Sequence, residues 1–167
     1  MGERAMANRK PVTKEAERLL EENVNDAIAW LRCAFAFDRL GYEERAVPLY
    51  NKAIRIGLKG DDLRDALVCL GSSFHTLKRF NEAIQALQRA RRNFPRDRAV
   101  PLFFALALLD AKRSGEAVKL LGWMSLKISA GTDVDRFRKV LTRKYGSIGQ
   151  TKKRGSSGTR VGDFGAF

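Results

Sequence analysis

With 167 residues, 44% hydrophobic and 31% charged, the chain has the composition of one soluble domain large enough to bury a core. Its longest apolar run, Val100–Leu109, contains Pro101 and is well short of a membrane span, and Met1–Lys14 is charged without an apolar centre, so neither a transmembrane helix nor a signal peptide is expected. The net charge of +13 is uneven: residues 1–63 balance eleven basic against eleven acidic side chains, while residues 64–167 hold twenty-one basic against eight acidic, an asymmetry that invites an anionic partner.

Residues 1–10 read as disordered. Thr13–Glu22 predicts a short leader helix with Ala16, Leu19 and Leu20 on one face. Asn25 fits an N-cap, Asp26–Leu40 follows as helix, and Gly41 closes it in the left-handed conformation. Glu43–Ile56 is the return helix. Pro48 sits early in it, where a missing donor costs least, and Gly57 ends it. Lys59-Gly60 is a connector. Asp62–Leu77 and Phe80–Asn93 make the next pair, which Pro95 stops. Arg98–Ala111 has Pro101 in its first turn, and Ser114 can cap Gly115–Lys127. After Gly131, Thr132–Asp135 has the form of a capping box opening a basic helix to Tyr145. Residues 146–167, rich in Gly, Ser and Lys, read as a disordered basic tail. No segment alternates as a strand would.

Across these helices small residues recur in register. Ala34, Ala46 and Ala53 are spaced 12 and 7 apart, as are Gly71, Ala83 and Ala90, and then Ala105, Ala117 and Met124. The three sets lie 37 and 34 residues apart. A period of that size in a helical chain marks stacked helix hairpins. Two antiparallel helices approach closely only where a side chain is tiny, so Gly71 and Ala83 belong at the contact within a hairpin and Ala90 at the contact with the next.

The middle unit carries Leu67, Leu70-Gly71, Phe74, Phe80, Ala83, Leu87, Ala90 and Pro95; the first carries Trp30, Cys33-Ala34, Phe37, Ala46, Tyr50 and Ala53; the third carries Pro101, Phe104-Ala105, Leu108, Ala117 and Leu121. In these residues the chain resembles tetratricopeptide repeat proteins. It is also similar to a short, largely uncharacterised bacterial group in its run from Gly71 to Asp97. The resemblance implies an all-α right-handed superhelix of three hairpins, at about 27–60, 64–97 and 98–131, with a leader helix and a terminal helix at 132–145, the whole domain covering 11–145.

The resemblance also implies a concave surface lined by the first helix of each hairpin. Its residues would be Ile28, Leu31, Phe35, Asp38 and Arg39; Asp65, Val68, Ser72, His75 and Thr76; and Ala99, Leu102, Leu106, Leu109 and Asp110. Clamps of this family for the acidic tails of heat-shock chaperones use lysine and asparagine where this chain has Leu31, Phe35, Val68, Ser72, Leu102 and Leu106, so that activity is not expected. A mostly apolar groove suits a peptide or partner helix with hydrophobic anchors. The alternative is that the same residues pack on the flanking helices, the tail or a second copy of the chain. Val161, Phe164 and Phe167 in the tail are candidate occupants.

Other features point away from catalysis. His75 is the only histidine, with no ligand-type residue at metal spacing, and Cys33 and Cys69 fall inside helical patterns as buried thiols, which suits a reducing cytoplasm. No catalytic constellation, cofactor motif or metal site is expected. The basic residues Arg89, Arg92 and Arg96, then Arg136 and Lys139, then Lys152, Lys153 and Arg154, form the second candidate surface, for nucleic acid or another anionic partner. Aromatic residues interleaved for base stacking are missing there, since Phe137 and Tyr145 fit the terminal helix's apolar face.

Overall fold

The computed structural model describes residues 18, 20, 22, 24–128 and 134–147, and among these it holds seven α-helices and no strand. Helices α1 (Ala27–Arg39) and α2 (Glu43–Ile56) form the first hairpin, α3 (Gly60–Thr76) and α4 (Phe80–Asn93) the second, and α5 (Val100–Asp110) and α6 (Ser114–Ile128) the third; α7 (Val134–Ser147) follows. Each helix packs on the next. In addition α1 packs on α3 and α3 on α5, whereas no comparable packing joins α2 to α4 or α4 to α6 among the described residues. The first helices therefore form a contiguous row, and the second helices stand outside it.

The turn inside each hairpin is the same object three times. Tyr42, Arg79 and Arg113 donate their backbone N–H to the carbonyls of Phe37, Phe74 and Leu108 at 2.8–2.9 Å. The residue before each donor is left-handed: Gly41 at φ +75°, Lys78 at +59° and Lys112 at +62°. This is a six-to-one helix-terminating motif. Gly41 announces it in the sequence, whereas the two lysines conceal it, because a side chain at positive φ is unusual.

The small residues sit where close approach requires them. Ala34, Ala46, Ala53, Ala83, Ala90, Ala105 and Ala117 are all buried. A Cβ on Gly71 would lie 2.5 Å from Cγ of Leu87 across the α3–α4 contact. Tyr50, Phe104, Leu67, Leu87 and Leu108 fill the space between them as the largest fully enclosed apolar side chains. Met124, the one enlarged member, is half-buried. On the same helix Gly122 is buried against the ring of Tyr145, which leaves no room for a Cβ, and Arg138 donates to the Leu126 carbonyl. Those two contacts seat α7 on α6. Phe137 does not join them and is exposed.

Several helix boundaries differ from the sequence reading. The cap of α1 is Asp26 rather than Asn25, because its carboxylate accepts from the N–H groups of Ile28 and Ala29 at 2.8 and 3.2 Å. Helix α3 begins at Gly60, inside the expected connector. Helix α5 begins at Val100 rather than Arg98, with the Ala99 carbonyl accepting from the N–H groups of Leu102 and Phe103 at 3.0 and 3.3 Å; before it, Asp97 Oδ1 accepts from the N–H groups of Ala99 and Val100, both at 2.8 Å. Helix α7 runs to Ser147, two residues past Tyr145. Of the leader helix, Arg18, Leu20 and Glu22 are described and helical, and Leu20 is buried in the common core. The capping box at Thr132 and the tail residues Val161, Phe164 and Phe167 lie outside the described residues. Cys33 is buried and Cys69 half-buried, both as free thiols.

Candidate functional site

The inward places of α1, α3 and α5 form columns across the three hairpins, and in the three central columns hairpin 3 is the most exposed. In the first, Leu31 is 2% exposed, Val68 is half-buried and Leu102 is 49% exposed. In the second, Phe35 and Ser72 are half-buried and Leu106 is 54% exposed. In the third, Asp38 and His75 are half-buried and Leu109 is 42% exposed. Leu31, expected to line the groove, thus belongs to the core, where Leu20 is also buried. Arg39 is exposed at the end of α1, its Nε donating to the Phe35 carbonyl at 3.4 Å.

Polar side chains close the face over hairpins 1 and 2. Asp38 accepts from Tyr50 Oη at 3.0 Å and from Ser73 Oγ at 2.9 Å, tying α1 to both α2 and α3. Phe35 meets the Tyr50 ring edge-on at 5.7 Å. Burial raises the Tyr50 phenol far above its ordinary range, and the Asp38 charge beside it adds to the shift. Burial also pushes the Cys69 thiol up to about 11, and raises that of Cys33. Both sulfurs are therefore protonated at neutral pH and are poor nucleophiles. Phe35, Val68 and Cys69 share a hollow of about 190 Å³ with Arg64, Asp65 and Asp97. Arg64 pairs with Asp61 at 2.6 Å, Asp65 at 2.9 Å and Asp97 at 3.7 Å, one guanidinium against three carboxylates, so this cluster is net acidic.

Hairpin 3 has no such closure. Helix α5 is apolar on every side except at Asp110, so burying one face leaves another in solvent. Leu102, Leu106 and Leu109, at helical spacing, form the exposed stripe, with Phe103 beside it. Its one polar boundary is Asp110, whose Oδ2 lies 2.6 Å from His75 Nε2. Single exposed leucines are ordinary, but a contiguous stripe marks a surface that other apolar groups can cover.

The basic candidates separate. Arg89, Arg92 and Arg96 are exposed and make no ion pair with any described residue. Lys139 is exposed on α7, while the side chain of Arg136 and all of Lys152, Lys153 and Arg154 lie outside the described residues. A cluster not expected from the sequence lies between α4 and α6: a cleft of about 440 Å³ lined by Arg91, Arg96, Asp97, Arg98 and Lys127 together with Trp123, Pro95, Pro101, Leu120 and Met124. No spacing rule joins Trp123 to residues 91–98, because only the stacking of hairpin 3 on hairpin 2 brings them together. Among the described residues, no group of three or more His, Cys, Asp or Glu side chains is placed to hold a metal ion, and no helix is long and apolar enough to cross a membrane.

Three hairpins with matched turns, small residues at each crossing and a contiguous row of first helices define a helical-repeat array. The chain belongs to the tetratrico peptide repeat family, whose model matches residues 26–142. That match spans the row of hairpins and most of α7. The family generally mediates protein–protein interaction and is typically non-catalytic. A search of curated proteins finds no match.

Proposed function

We propose that this chain is a non-catalytic adaptor or assembly factor that takes a partner's apolar peptide or amphipathic helix on the open face of hairpin 3. The exposed stripe Leu102, Leu106 and Leu109 carries the reading. Such a stripe fits anchors at matching helical spacing on a partner, and burying three leucines on each side supplies several kcal/mol, on the order of 1.5–3 per side chain. The polar, net acidic face of hairpins 1 and 2 sets the limit of the site. The chemistry suits a reducing, cytoplasmic setting in which Cys33 and Cys69 stay thiols.

The test is a Leu102→Lys, Leu106→Lys double variant of the full chain. Both positions face solvent, so helicity and the urea midpoint should hold while affinity for a partner recovered with the wild type drops by about tenfold or more. Phe137→Lys with Val140→Lys, both exposed positions of α7, serves as the charge-matched control. Retained binding in the double variant removes the assignment. Loss of a wild-type dimer in the double variant, read by sedimentation, assigns the stripe to a second copy instead. A second reading, an anionic partner on the basic C-terminal half, rests on the cleft between α4 and α6.

A further inference from the structure

The cleft between α4 and α6 lies on the second-helix side of the array, away from the leucine stripe. Its volume of about 440 Å³ falls in the range of ligand pockets. Its lining combines two chemistries. Among the described residues its lining holds the cations Arg91, Arg96, Arg98 and Lys127 and one carboxylate, Asp97, and Arg91 and Lys127 have contacts of their own. That carboxylate is already engaged: one oxygen accepts from the N–H groups of Ala99 and Val100, and the other faces Arg64 at 3.7 Å. Arg96 and Arg98 have no ion pair among the described residues. Half-burial disfavours the charge on Arg91 and lowers its pKa. The rest of the lining, Trp123, Met124, Leu120, Pro95 and Pro101, is apolar, with one aromatic side chain.

We infer that this cleft is a second binding site, for a partner's acidic peptide segment whose carboxylates meet Arg96 and Arg98 and whose single apolar or aromatic side chain seats on Trp123. Guanidinium groups engage carboxylates in paired, charge-assisted hydrogen bonds, and excess positive charge in a partly enclosed hollow raises their worth over that of open surface pairs. The apolar lining favours such a peptide over a nucleic acid. A strand would use an extended basic track with several stacking faces, whereas this cleft is a local hollow with one tryptophan. The site uses none of the residues of the hairpin 3 stripe, so each proposal can fail alone.

The chain has two tryptophans, so Trp30→Phe leaves Trp123 as the sole reporter in the full-length protein. The probe is a short peptide with glutamates flanking one phenylalanine, titrated at near-physiological salt. Saturable binding with a change in Trp123 emission is expected, weakened about tenfold or more when the phenylalanine becomes serine or the glutamates become glutamines. Arg96→Glu with Arg98→Glu should remove binding, while Arg89→Glu with Arg92→Glu, an equal charge change on exposed α4, should leave it within about twofold. No saturable binding, unchanged emission at saturation, equal loss in the two double variants, or indifference to the phenylalanine would each overturn the inference. So would tighter binding of a single-stranded oligonucleotide with the same dependence on Arg96 and Arg98, which would hand the cleft to nucleic acid.

Discussion

Hairpins 1 and 3 are built on the same turn, the same small-residue crossings and the same stacking of first helices, yet their inward faces differ. In hairpin 1 the face is sealed: Leu31 is in the core, Phe35 packs on Tyr50, and Asp38 is bonded to Tyr50 and Ser73. In hairpin 3 the matching places hold Leu102, Leu106 and Leu109, all exposed. The repeat thus fixes where backbones meet and leaves the face free to become either core or docking surface. What separates the two outcomes is what lies over each face. Hairpin 1 shares its core with Leu20 and is tied by Asp38 to its neighbours, whereas no described residue buries the stripe on α5.

The sharpest test of that contrast truncates one column at both ends. Leu31→Ala should destabilise the fold by about 3 kcal/mol and Leu102→Ala by less than about 1, because only the first leaves a cavity. Equal shifts in the urea midpoint would erase the distinction between sealed and open faces. Gly71→Val probes the shared crossing instead. Its Cβ would meet Leu87, which is 1% exposed and cannot swing away, so a loss of about 2 kcal/mol is expected. Adding Leu87→Ala should recover part of that loss, a coupling of about 1 kcal/mol in a double-mutant cycle; strict additivity would place the crossing elsewhere.

Tyr50→Phe removes one of the two bonds to Asp38 and should destabilise by about 2 kcal/mol, the usual range for a hydrogen bond to a charged group. Hairpin 3 has Leu121 in that place, so it has no bond of this kind to lose. The smallest effect is on pH dependence. The folded thiol of Cys69 titrates near 11 against an ordinary 9.0, so the unfolded chain loses its proton first. Its contribution is complete below pH 9 and is lost as the pH rises through 11. Cys33 and Tyr50, both raised, act with the same sign. Urea midpoints taken from pH 7.5 to 10.5 should fall, and fall less in Cys69→Ala; a rise would contradict the burial of these groups.

Much of the fold was legible because its signals are local or periodic. The alanine and glycine triplets located the crossings within the hairpins, and Gly41 and Gly57 located two helix ends. The misses have physical causes. Lys78 and Lys112 adopt a left-handed conformation that lysine does not advertise. Asp26 captured the cap of α1 because its carboxylate reaches two N–H groups at once. Asp97 makes the same pair of bonds to Ala99 and Val100, yet regular helix α5 starts only at Val100. The candidate site was legible only as a set of inward places. Which of them face solvent depends on contacts between segments far apart in the chain. The cleft was invisible for the same reason, since Trp123 and Arg98 belong to different hairpins.

The amino-acid sequence by itself determined the all-helical class, the period, the hairpin pairing and the excess of charge beyond residue 63, because each follows from local propensity or from spacing along the chain. Only the tertiary structure decided that Leu31 is core while Leu102 is surface, that Asp38 ties three helices together, and that Trp123 joins the arginines. Burial, and the electrostatic environment it creates, are properties of what lies across the fold, and no single helix carries that information.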